Sequence, residues 1–246
     1  MTQLILNKIT LPAQLPRLSR SRLIEKLGGS LAACNLTLIN GRAGTGKTLF
    51  ATDFAWQCGR RVAWYKVDAS DSDPAIFFRY LIASINRQRL GAGCIMVEEL
   101  LGKNMTALAE SLAYELEQSA IPLLIVLDDL HLVYDAEWIA PFFSRFSPLL
   151  PAEAHLIIIG RIQPPAPLWR MRSKQTLSMI DETDLDFTQG EIEMLLESYG
   201  LSPSSALEVF TESRGRASKV SEIVRQMITE DRGAASNLLA PRSFLQ

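Results

Sequence analysis

Residues 36–48 read LTLINGRAGTGKT, a short apolar run followed by a glycine-rich loop and a lysine–threonine pair. The last eight letters match the pattern G-x-x-x-x-G-K-[ST] at every fixed position. The residues that follow predict a helix whose inward-facing apolar side chains are Leu49, Phe50, Phe54 and Ala55. A strand, this loop and a helix in that order are the context in which the pattern forms a cradle for phosphate groups.

Each residue type in the loop has a physical role in such a cradle. Glycines let several main-chain N–H groups point at one phosphate, and the helix N-terminus adds to their effect. Lys47 supplies a positive charge for the β- and γ-phosphate oxygens, and the Thr48 hydroxyl is a ligand for Mg²⁺. We therefore expect ATP or ADP with Mg²⁺ as cofactors. The predicted nucleotide-binding residues are Gly41, Arg42, Ala43, Gly44, Thr45, Gly46, Lys47, Thr48 and Leu49.

Two later apolar runs end in charged residues. Residues 123–129 read LLIVLDD, and the apolar run 156–160 is followed by Arg161. Parallel α/β sheets bind ligands at the carboxyl ends of their strands, so Asp128 is placed to hold Mg²⁺ and Asp129 to act as general base. Arg161 is placed to contact the γ-phosphate. The predicted catalytic residues are Lys47, Asp129 and Arg161, and the predicted metal ligands are Thr48 and Asp128.

For several of these residues a purely structural role remains an alternative. The two aspartates could only terminate a strand and cap the next helix, and Arg161 could pair with a nearby acid. His131 could support Asp129 or be a hydrogen-bonded structural histidine. Trp56 and Trp64 are expected in the core, and the basic stretch at 17–22 could be a solvated lead-in.

Composition excludes several classes of protein. The 246 residues carry 25 Lys+Arg and 27 Asp+Glu, a net charge of −2, which gives no electrostatic basis for nucleic-acid binding by the whole chain. Cys34, Cys58 and Cys94 are odd in number and far apart, so a disulfide framework or zinc site is not expected. No apolar run approaches the length of a membrane span, and the N-terminus lacks the pattern of a secretory signal. We expect a cytoplasmic protein.

Short apolar runs alternate with amphipathic helical patterns along most of the chain, which predicts an α/β domain with a parallel sheet. The expected strands are 36–39, 62–67, 123–127, 156–160 and 176–180. Asp73 and Pro74 open one predicted helix, and a second covers residues 105–116.

The two ends of the chain differ from this pattern. Residues 1–16 are expected to be an extended arm that leads to a helix near 23–27, closed by Gly28 and Gly29. Thr188 and Glu191 form a predicted capping box that opens a run of helices without strands. The expected domains are 1–30 for the arm and lead-in helix, 31–186 for the nucleotide-binding domain and 187–246 for a helical subdomain.

Between about residues 8 and 217 the chain resembles the nucleotide-binding part of the STAND ATPases, signal-transducing ATPases that include the MalT-like large regulators of the LuxR family. The phosphate loop is shared with very many NTPases, whereas VAW at 62–64, DDLH at 128–131 and DLDFT at 184–188 are narrower features. The resemblance implies an ASCE/AAA-like P-loop NTPase fold, a parallel sheet flanked by helices, followed by a small all-helical subdomain.

The resemblance also implies a molecular switch that rests with ADP, becomes active with ATP, usually by self-association, and is reset by slow hydrolysis. By matching position, Lys47, Thr48, Asp128 and Asp129 take the phosphate-loop and acidic-strand roles, Arg161 senses the γ-phosphate, and Arg20 lies at the adenine or ribose side. Where this class commonly has Gly-x-Pro, residues 215–217 read GRA, which puts adenine contact by this segment in doubt.

The winged-helix, sensor and DNA-binding helix-turn-helix parts of those regulators have no counterpart in these residues. We therefore expect no DNA binding by this chain alone, and either a longer protein or a partner that supplies the missing parts. Two rival functions remain. A P-loop kinase would need an arginine-rich lid, for which Arg170, Arg172 and Lys174 are candidates, and a non-hydrolysing module would use nucleotide only to order its fold.

Overall fold

The computed structural model describes residues 4–88, 104–165 and 177–238, with side chains described as far as residue 231. The strands are β1 (Leu36–Asn40), β2 (Arg61–Lys66), β3 (Leu123–Asp128), β4 (Ala154–Gly160) and β5 (Leu177–Ile180). The α-helices are α1 (Ser21–Ala33), α2 (Lys47–Gln57), α3 (Pro74–Asn86), α4 (Met105–Ser119), α5 (Ile139–Phe146), α6 (Glu182–Leu185), α7 (Gln189–Ser198), α8 (Ala206–Ser213) and α9 (Ala217–Leu238). Short 3₁₀ helices lie at Leu6–Ile9, Ala69–Ser72, Leu130–Val133, Ser147–Leu149 and Pro203–Ser205.

All five strands pair in parallel, in the spatial order β2-β3-β4-β1-β5. Strand β4 thus lies between β1, which precedes the glycine-rich loop, and β3, which ends in the acidic pair. Asn40 lies opposite Gly160 in the register of β1 and β4, so their carboxyl ends are level. The predicted α/β fold with helices on both faces is confirmed, and the glycine-rich loop, the acidic pair and Arg161 follow strands that end at the same edge of its sheet.

Alternate residues of the central strands are buried on opposite faces of the sheet. On one face Tyr65, Ile125 and Ile158 pack in a core with helices α3, α4 and α5. On the other face Trp64 and Val126 pack against α1 and α2. Burial on both faces explains why these strands read as continuous apolar runs.

Helices α7, α8 and α9 form a third apolar cluster of their own, as the sequence predicted. The predicted capping box is present: the Thr188 hydroxyl accepts from the Glu191 amide, and the Glu191 carboxylate accepts from the Thr188 amide. Asp73 likewise caps α3, accepting from the Ala75 amide at 2.7 Å. These local signals placed the helix starts correctly because each depends on only a few neighbouring residues.

The structure corrects three expectations at the N-terminal side. Helix α1 does not end at Gly28 and Gly29 but continues to Ala33, since neither glycine adopts a positive φ. The segment 1–16 is not simply extended, because Leu6–Ile9 is a 3₁₀ helix. Trp56 is not a core residue: its side chain is 56% exposed, and its indole N–H donates to the Pro12 carbonyl at 3.1 Å.

Some expectations fall outside the described residues. They concern Cys94, the strand start at Thr176, the lid candidates Arg170, Arg172 and Lys174, and residues 239–246. Across the described ranges, no helix combines the length and apolar character needed to cross a membrane.

Candidate functional site

The glycine-rich loop connects β1 to α2 through two left-handed residues. Gly44 and Gly46 have φ values of 79° and 83°, a region that glycine occupies without steric cost, and Gly46 directly precedes the first residue of α2. A β-carbon on Gly44 would lie 2.9 Å from the Ser218 side chain. The loop is therefore tightly turned and closely covered by the start of α9.

Lys47 lies buried at the N-terminus of α2. Its ammonium donates to the main-chain oxygens of Gly41 at 2.6 Å and Arg42 at 2.8 Å, and to the Thr45 hydroxyl at 3.3 Å. Burial lowers the pKa of Lys47, and the nearby positive charge of Arg161 lowers it further. The ammonium is thus held against the loop, and its contact with phosphate oxygens stays a prediction.

The two predicted metal ligands meet at the end of β3. The Thr48 hydroxyl donates to both Asp128 carboxylate oxygens, at 3.0 and 3.2 Å. The Asp128 side chain is almost completely buried, and burial together with the charge of Asp129 raises its pKa to about 6. A hydroxyl and a carboxylate are the hard oxygen ligands that Mg²⁺ prefers, so this pair fits that ion.

A pair of ligands, rather than a complete cage, is also what Mg²⁺ uses beside a nucleotide, because phosphate oxygens and water fill the rest of its octahedral shell. The described residues contain no group of three or more His, Cys, Asp or Glu side chains that could hold a metal ion by themselves.

Asp129 lies at a sharp change of chain direction after β3. Its φ of 61° is left-handed, which is uncommon outside glycine but tolerated by aspartate, and the 3₁₀ helix Leu130–Val133 follows at once. Oxygen Oδ1 of Asp129 lies 3.8 Å from Nε of Arg161 and 3.7 Å from Nδ1 of His131. The predicted general base and the predicted γ-phosphate sensor are thus neighbours at one edge of the sheet.

Gly160 allows this close arrangement. A β-carbon at this position would lie 3.1 Å from the Tyr134 hydroxyl and 3.7 Å from the β-carbon of His131. The chain after β3 therefore packs directly against the end of β4, where Arg161 follows. Burial raises the pKa of the Tyr134 hydroxyl, so it stays protonated at neutral pH.

Arg20 is buried between the core and the helical subdomain. Its guanidinium donates to the Leu185 carbonyl at 2.5 Å and lies 4.5 Å from the ring centre of Phe187. A small cavity beside it is lined by side chains of α2 and the subdomain, including Leu49, Asp53, Phe187, Ala217 and Ser221. This cavity opens beside the phosphate loop at Gly46, on the side where the resemblance implied the base or ribose.

Leu49 differs from its predicted packing. It is 36% exposed and does not face inward with Phe50 and Phe54, which are buried against the sheet. Instead it lines both the small cavity and an adjoining groove of about 800 Å³ that runs between residues 14–18 and the helices α7 and α9. The prediction that Leu49 borders bound nucleotide remains a prediction.

Glu182 is a residue of the site region that the sequence analysis missed. Its carboxylate accepts from the Arg42 amide at 2.9 Å and from two guanidinium nitrogens of Arg42, at 2.8 and 2.6 Å. These hydrogen bonds lower the pKa of Glu182. Its position in the sequence could have indicated this contact. Glu182 closely follows β5, and because β5 pairs in parallel with β1, the carboxyl ends of both strands lie at the same edge of the sheet.

The segment 215–217 lies on the phosphate loop. Ala217 lies 3.5 Å from the place where a β-carbon on Gly46 would stand, and the Ser218 amide donates to the Gly44 carbonyl at 2.9 Å. The alanine that replaces the proline of the resembling class is therefore close to the loop, and contact with adenine stays a prediction.

The basic stretch is not a solvated lead-in. Arg17 donates to the Ser198 carbonyl at 2.5 Å, and Arg22 pairs with Glu191 at 3.3 Å. Lys26 forms an ion pair with Asp184 at 2.5 Å. Arg17, Arg20 and Arg22 thus connect the start of α1 to the helical subdomain, across the boundary predicted near residue 187, whereas Lys26 binds the segment just before it.

Comparison with curated proteins finds similarity to the HTH-type transcriptional regulator MalT. The MalT of Serratia proteamaculans is 33% identical over 208 residues, which cover 81% of this chain and 22% of that protein. The MalT of Yersinia enterocolitica is 33% identical over 201 residues, covering 79% of this chain and 22% of that protein. The chain thus spans about a fifth of the length of these relatives. A comparison with described protein families finds none that matches.

Solved structures share the fold at low sequence identity. A STAND protein with a tetratricopeptide repeat sensor from Pyrococcus horikoshii gives a TM-score of 0.57 at 14% identity, covering 89% of this chain and 33% of that one. Drosophila ORC bound to DNA gives 0.55 at 12% identity, covering 91% and 59%. A Walker-type ATPase of Pyrococcus abyssi gives 0.50 at 12% identity, covering 93% and 80%. The chain has the fold of the P-loop ATPases, and the resemblance of its sequence to the MalT regulators is confirmed.

Proposed function

We propose that this chain is an ATP/ADP-binding signal-transduction switch that hydrolyses ATP slowly with Mg²⁺. The observation that carries the proposal is the hydrogen bond between Thr48 and Asp128. Thr48 follows the buried Lys47 at the end of the glycine-rich loop. Similarity to MalT over about four fifths of the chain supports a regulatory role for this nucleotide-binding module.

The residues divide the chemistry between them. The main-chain N–H groups of residues 44–48 and the Lys47 ammonium bind the phosphates. Thr48 and Asp128 would hold Mg²⁺, which supplies positive charge to the phosphate oxygens when it is bound. Asp129 orients the attacking water and accepts its proton, while Arg161 donates to the γ-phosphate oxygens that gain negative charge.

Slow turnover is expected because, among the residues that the structure describes, few cations lie close enough to the site to stabilise the transition state. Arg161 is half exposed and lies next to Asp129, whereas Arg42 is engaged by three hydrogen bonds to Glu182. P-loop NTPases without a well-placed arginine finger hydrolyse nucleotide slowly, and a second arginine from a partner accelerates them greatly. Slow hydrolysis suits a switch, because the ATP state then persists.

The proposal extends to partners and location. MalT proteins are named transcriptional regulators, so this module would act in the cytoplasm, beside winged-helix, sensor and DNA-binding parts. Those parts would belong to a longer protein or to a partner of a stand-alone relative. Self-association in the ATP state would transmit the signal, and this chain alone would not bind DNA, in agreement with its net charge of −2.

The test begins with the nucleotide released from the heat-denatured protein, identified by chromatography, and continues with Mg-ATP turnover. We expect ATP or ADP to be released, a slow turnover without any acceptor, and an increase in particle mass with Mg-ATP.

Asp129→Asn should abolish turnover and leave the Kd for ATP unchanged, because the amide cannot accept the proton but keeps the shape. ATP consumption that strictly requires an added acceptor would instead indicate a kinase. Tight binding without any turnover in the unaltered chain would indicate a non-hydrolysing module.

A further inference from the structure

His131 has a buried nitrogen with no partner, directly beside the proposed general base. Within the described part of the chain, Nδ1 of His131 is buried and makes no hydrogen bond to another protein atom. It lies 3.7 Å from Oδ1 of Asp129, which is beyond hydrogen-bond length. Buried polar atoms are nearly always paired, so an exception at a site edge indicates a contact that forms in another state of the site.

The fold gives His131 little freedom to move away. The left-handed Asp129 turns the chain into the 3₁₀ helix Leu130–Val133, and the absence of a side chain at Gly160 lets this helix pack against β4. The His131 side chain is only 9% exposed. Its imidazole is therefore a fixed group beside Asp129 and not a mobile surface residue.

Arg161 approaches the same carboxylate oxygen but is held less firmly. Its side chain is 49% exposed, and its Nε lies 3.8 Å from Oδ1 of Asp129. A bound γ-phosphate carries more negative charge than one carboxylate and would attract Arg161 away. His131 then remains beside Oδ1 of Asp129.

The protonation state of His131 agrees with a role as a neutral donor. Burial lowers the pKa of its imidazole, as do the positive charges of Arg161 and Lys47, although the Asp129 carboxylate opposes them. The ring is therefore neutral at neutral pH. A carboxylate oxygen only accepts hydrogen bonds when ionised, so the tautomer with hydrogen on Nδ1 is the one that suits this pair.

We propose that His131 is a positioning residue for ATP hydrolysis: its Nδ1–H donates to Oδ1 of Asp129 in the ATP-bound site and leaves Oδ2 facing the attacking water. This inference rests on the proposed ATPase function. In the step it supports, the water oxygen bonds to the γ-phosphorus, the bond from that phosphorus to the β–γ bridging oxygen breaks, and ADP leaves. The water proton passes to Oδ2 of Asp129, and His131 neither gains nor loses a proton.

Two substitutions separate positioning from packing. His131→Phe keeps a planar ring in the space but removes the donor, whereas His131→Asn loses the ring but keeps an N–H donor near the place of Nδ1. We expect His131→Phe to lower the single-turnover rate constant for ATP hydrolysis by roughly ten- to a hundredfold, the usual effect of losing a hydrogen bond to a charged group. His131→Asn should stay within about threefold of the unaltered chain, and the Kd for Mg-ATP should change in neither variant.

The outcomes distinguish this inference from the function on which it rests. Unchanged turnover in His131→Phe, or an equal loss in both variants, would overturn the positioning role while leaving the ATPase proposal intact. No turnover in the unaltered chain would overturn both. If His131→Phe does not fold, His131→Gln replaces it, because its longer side chain places the amide near Nε2 and should show the same loss.

Discussion

The Asp128 carboxyl is buried in the metal-free protein, so the stability of the chain depends on pH through this group. Burial and the charge of Asp129 raise its pKa to about 6, whereas the carboxyl in the unfolded chain has the ordinary pKa of 3.8. The folded state therefore binds this proton more strongly than the unfolded state. The contribution of this carboxyl to stability is therefore fully present below about pH 4 and is lost as the pH rises through 6.

Replacing this carboxyl by an amide should stabilise the metal-free protein. We expect Asp128→Asn to raise the free energy of unfolding by about 1–3 kcal/mol at pH 7.5 in the absence of Mg²⁺, since no charge is buried, and by much less at pH 4.5. Urea unfolding at the two pH values measures the difference. Asp73→Asn, the same change at an exposed helix cap, is the control and should have little effect at either pH. A loss of stability at both pH values would contradict the expected cost of burial.

The positions of individual candidate-site residues could be predicted where one motif defines both their type and their surroundings. Lys47, Thr48 and Asp128 lie together as expected, because the loop follows β1 and the acid ends a strand at the same sheet edge. Leu49 could not be placed in this way. Its helix has one face against the sheet and another toward the helical subdomain, and local spacing does not distinguish the two apolar surroundings.

At the scale of elements, the junction between α8 and α9 depends on one glycine. Gly215 has a φ of 77°, and a β-carbon there would stand 2.4 Å from the Phe187 carbonyl oxygen. The main chain is fixed at this point, because the Phe187 amide donates to the Gly215 carbonyl at 2.7 Å. Relief of the contact requires the start of α9 to move away from the phosphate loop.

Gly215→Ala should therefore destabilise the chain by at least about 2 kcal/mol and weaken nucleotide binding, because both left-handed strain and the contact with main chain oppose the new methyl group. Gly190→Ala is a matched control. Gly190 lies inside α7 without a positive φ, and nothing would lie within 4 Å of its new β-carbon, so a small gain of about 0.5 kcal/mol is expected. Thermal unfolding of both variants measures the contrast, and equal midpoints would show that the junction is not constrained.

Strands and helix starts were largely predictable because their signals are local. The expected and observed limits of β1, β2, β3 and β4 differ by no more than two residues, since strands buried on both faces read as continuous apolar runs. The end of α1 was not predictable. Gly28 and Gly29 favour termination, but Leu27 before them and Leu31 after them both pack against the same apolar cluster, which favours a continuous helix.

At the scale of the molecule, the contacts that join the phosphate loop to the rest of the chain have no local signal. Arg42 and Glu182 are 140 residues apart, and the hydrogen bond from Ser218 to Gly44 spans a still longer separation. Only the strand order β2-β3-β4-β1-β5 brings such residues to one edge. The site therefore combines parts whose chemistry the sequence indicates with parts that only the assembled fold brings near them.

This assembly predicts how nucleotide should affect hydrogen exchange. The cavity beside Arg20 is lined by α2 of the core and by Ala217 and Ser221 of α9, so opening of the subdomain would break it. Ligand at a hundred times its Kd stabilises the bound form by about 2.7 kcal/mol, which slows exchange through that opening about a hundredfold. We expect amides of α9 to slow together with those of residues 41–48 when Mg-ATP is added.

Lys47→Ala supplies the control for the same experiment. Loss of the ammonium contact should raise the Kd for ATP roughly ten- to a hundredfold, so at the same ATP concentration the protection of α9 should shrink by a similar factor. The substituted residue is on α2, far along the chain from α9. An equal loss of protection from exchange in both helices would therefore mean that they respond to the same bound nucleotide. Protection confined to the loop, with α9 unchanged, would mean that the subdomain is not part of the nucleotide site, and its contact with Gly44 would then be only structural.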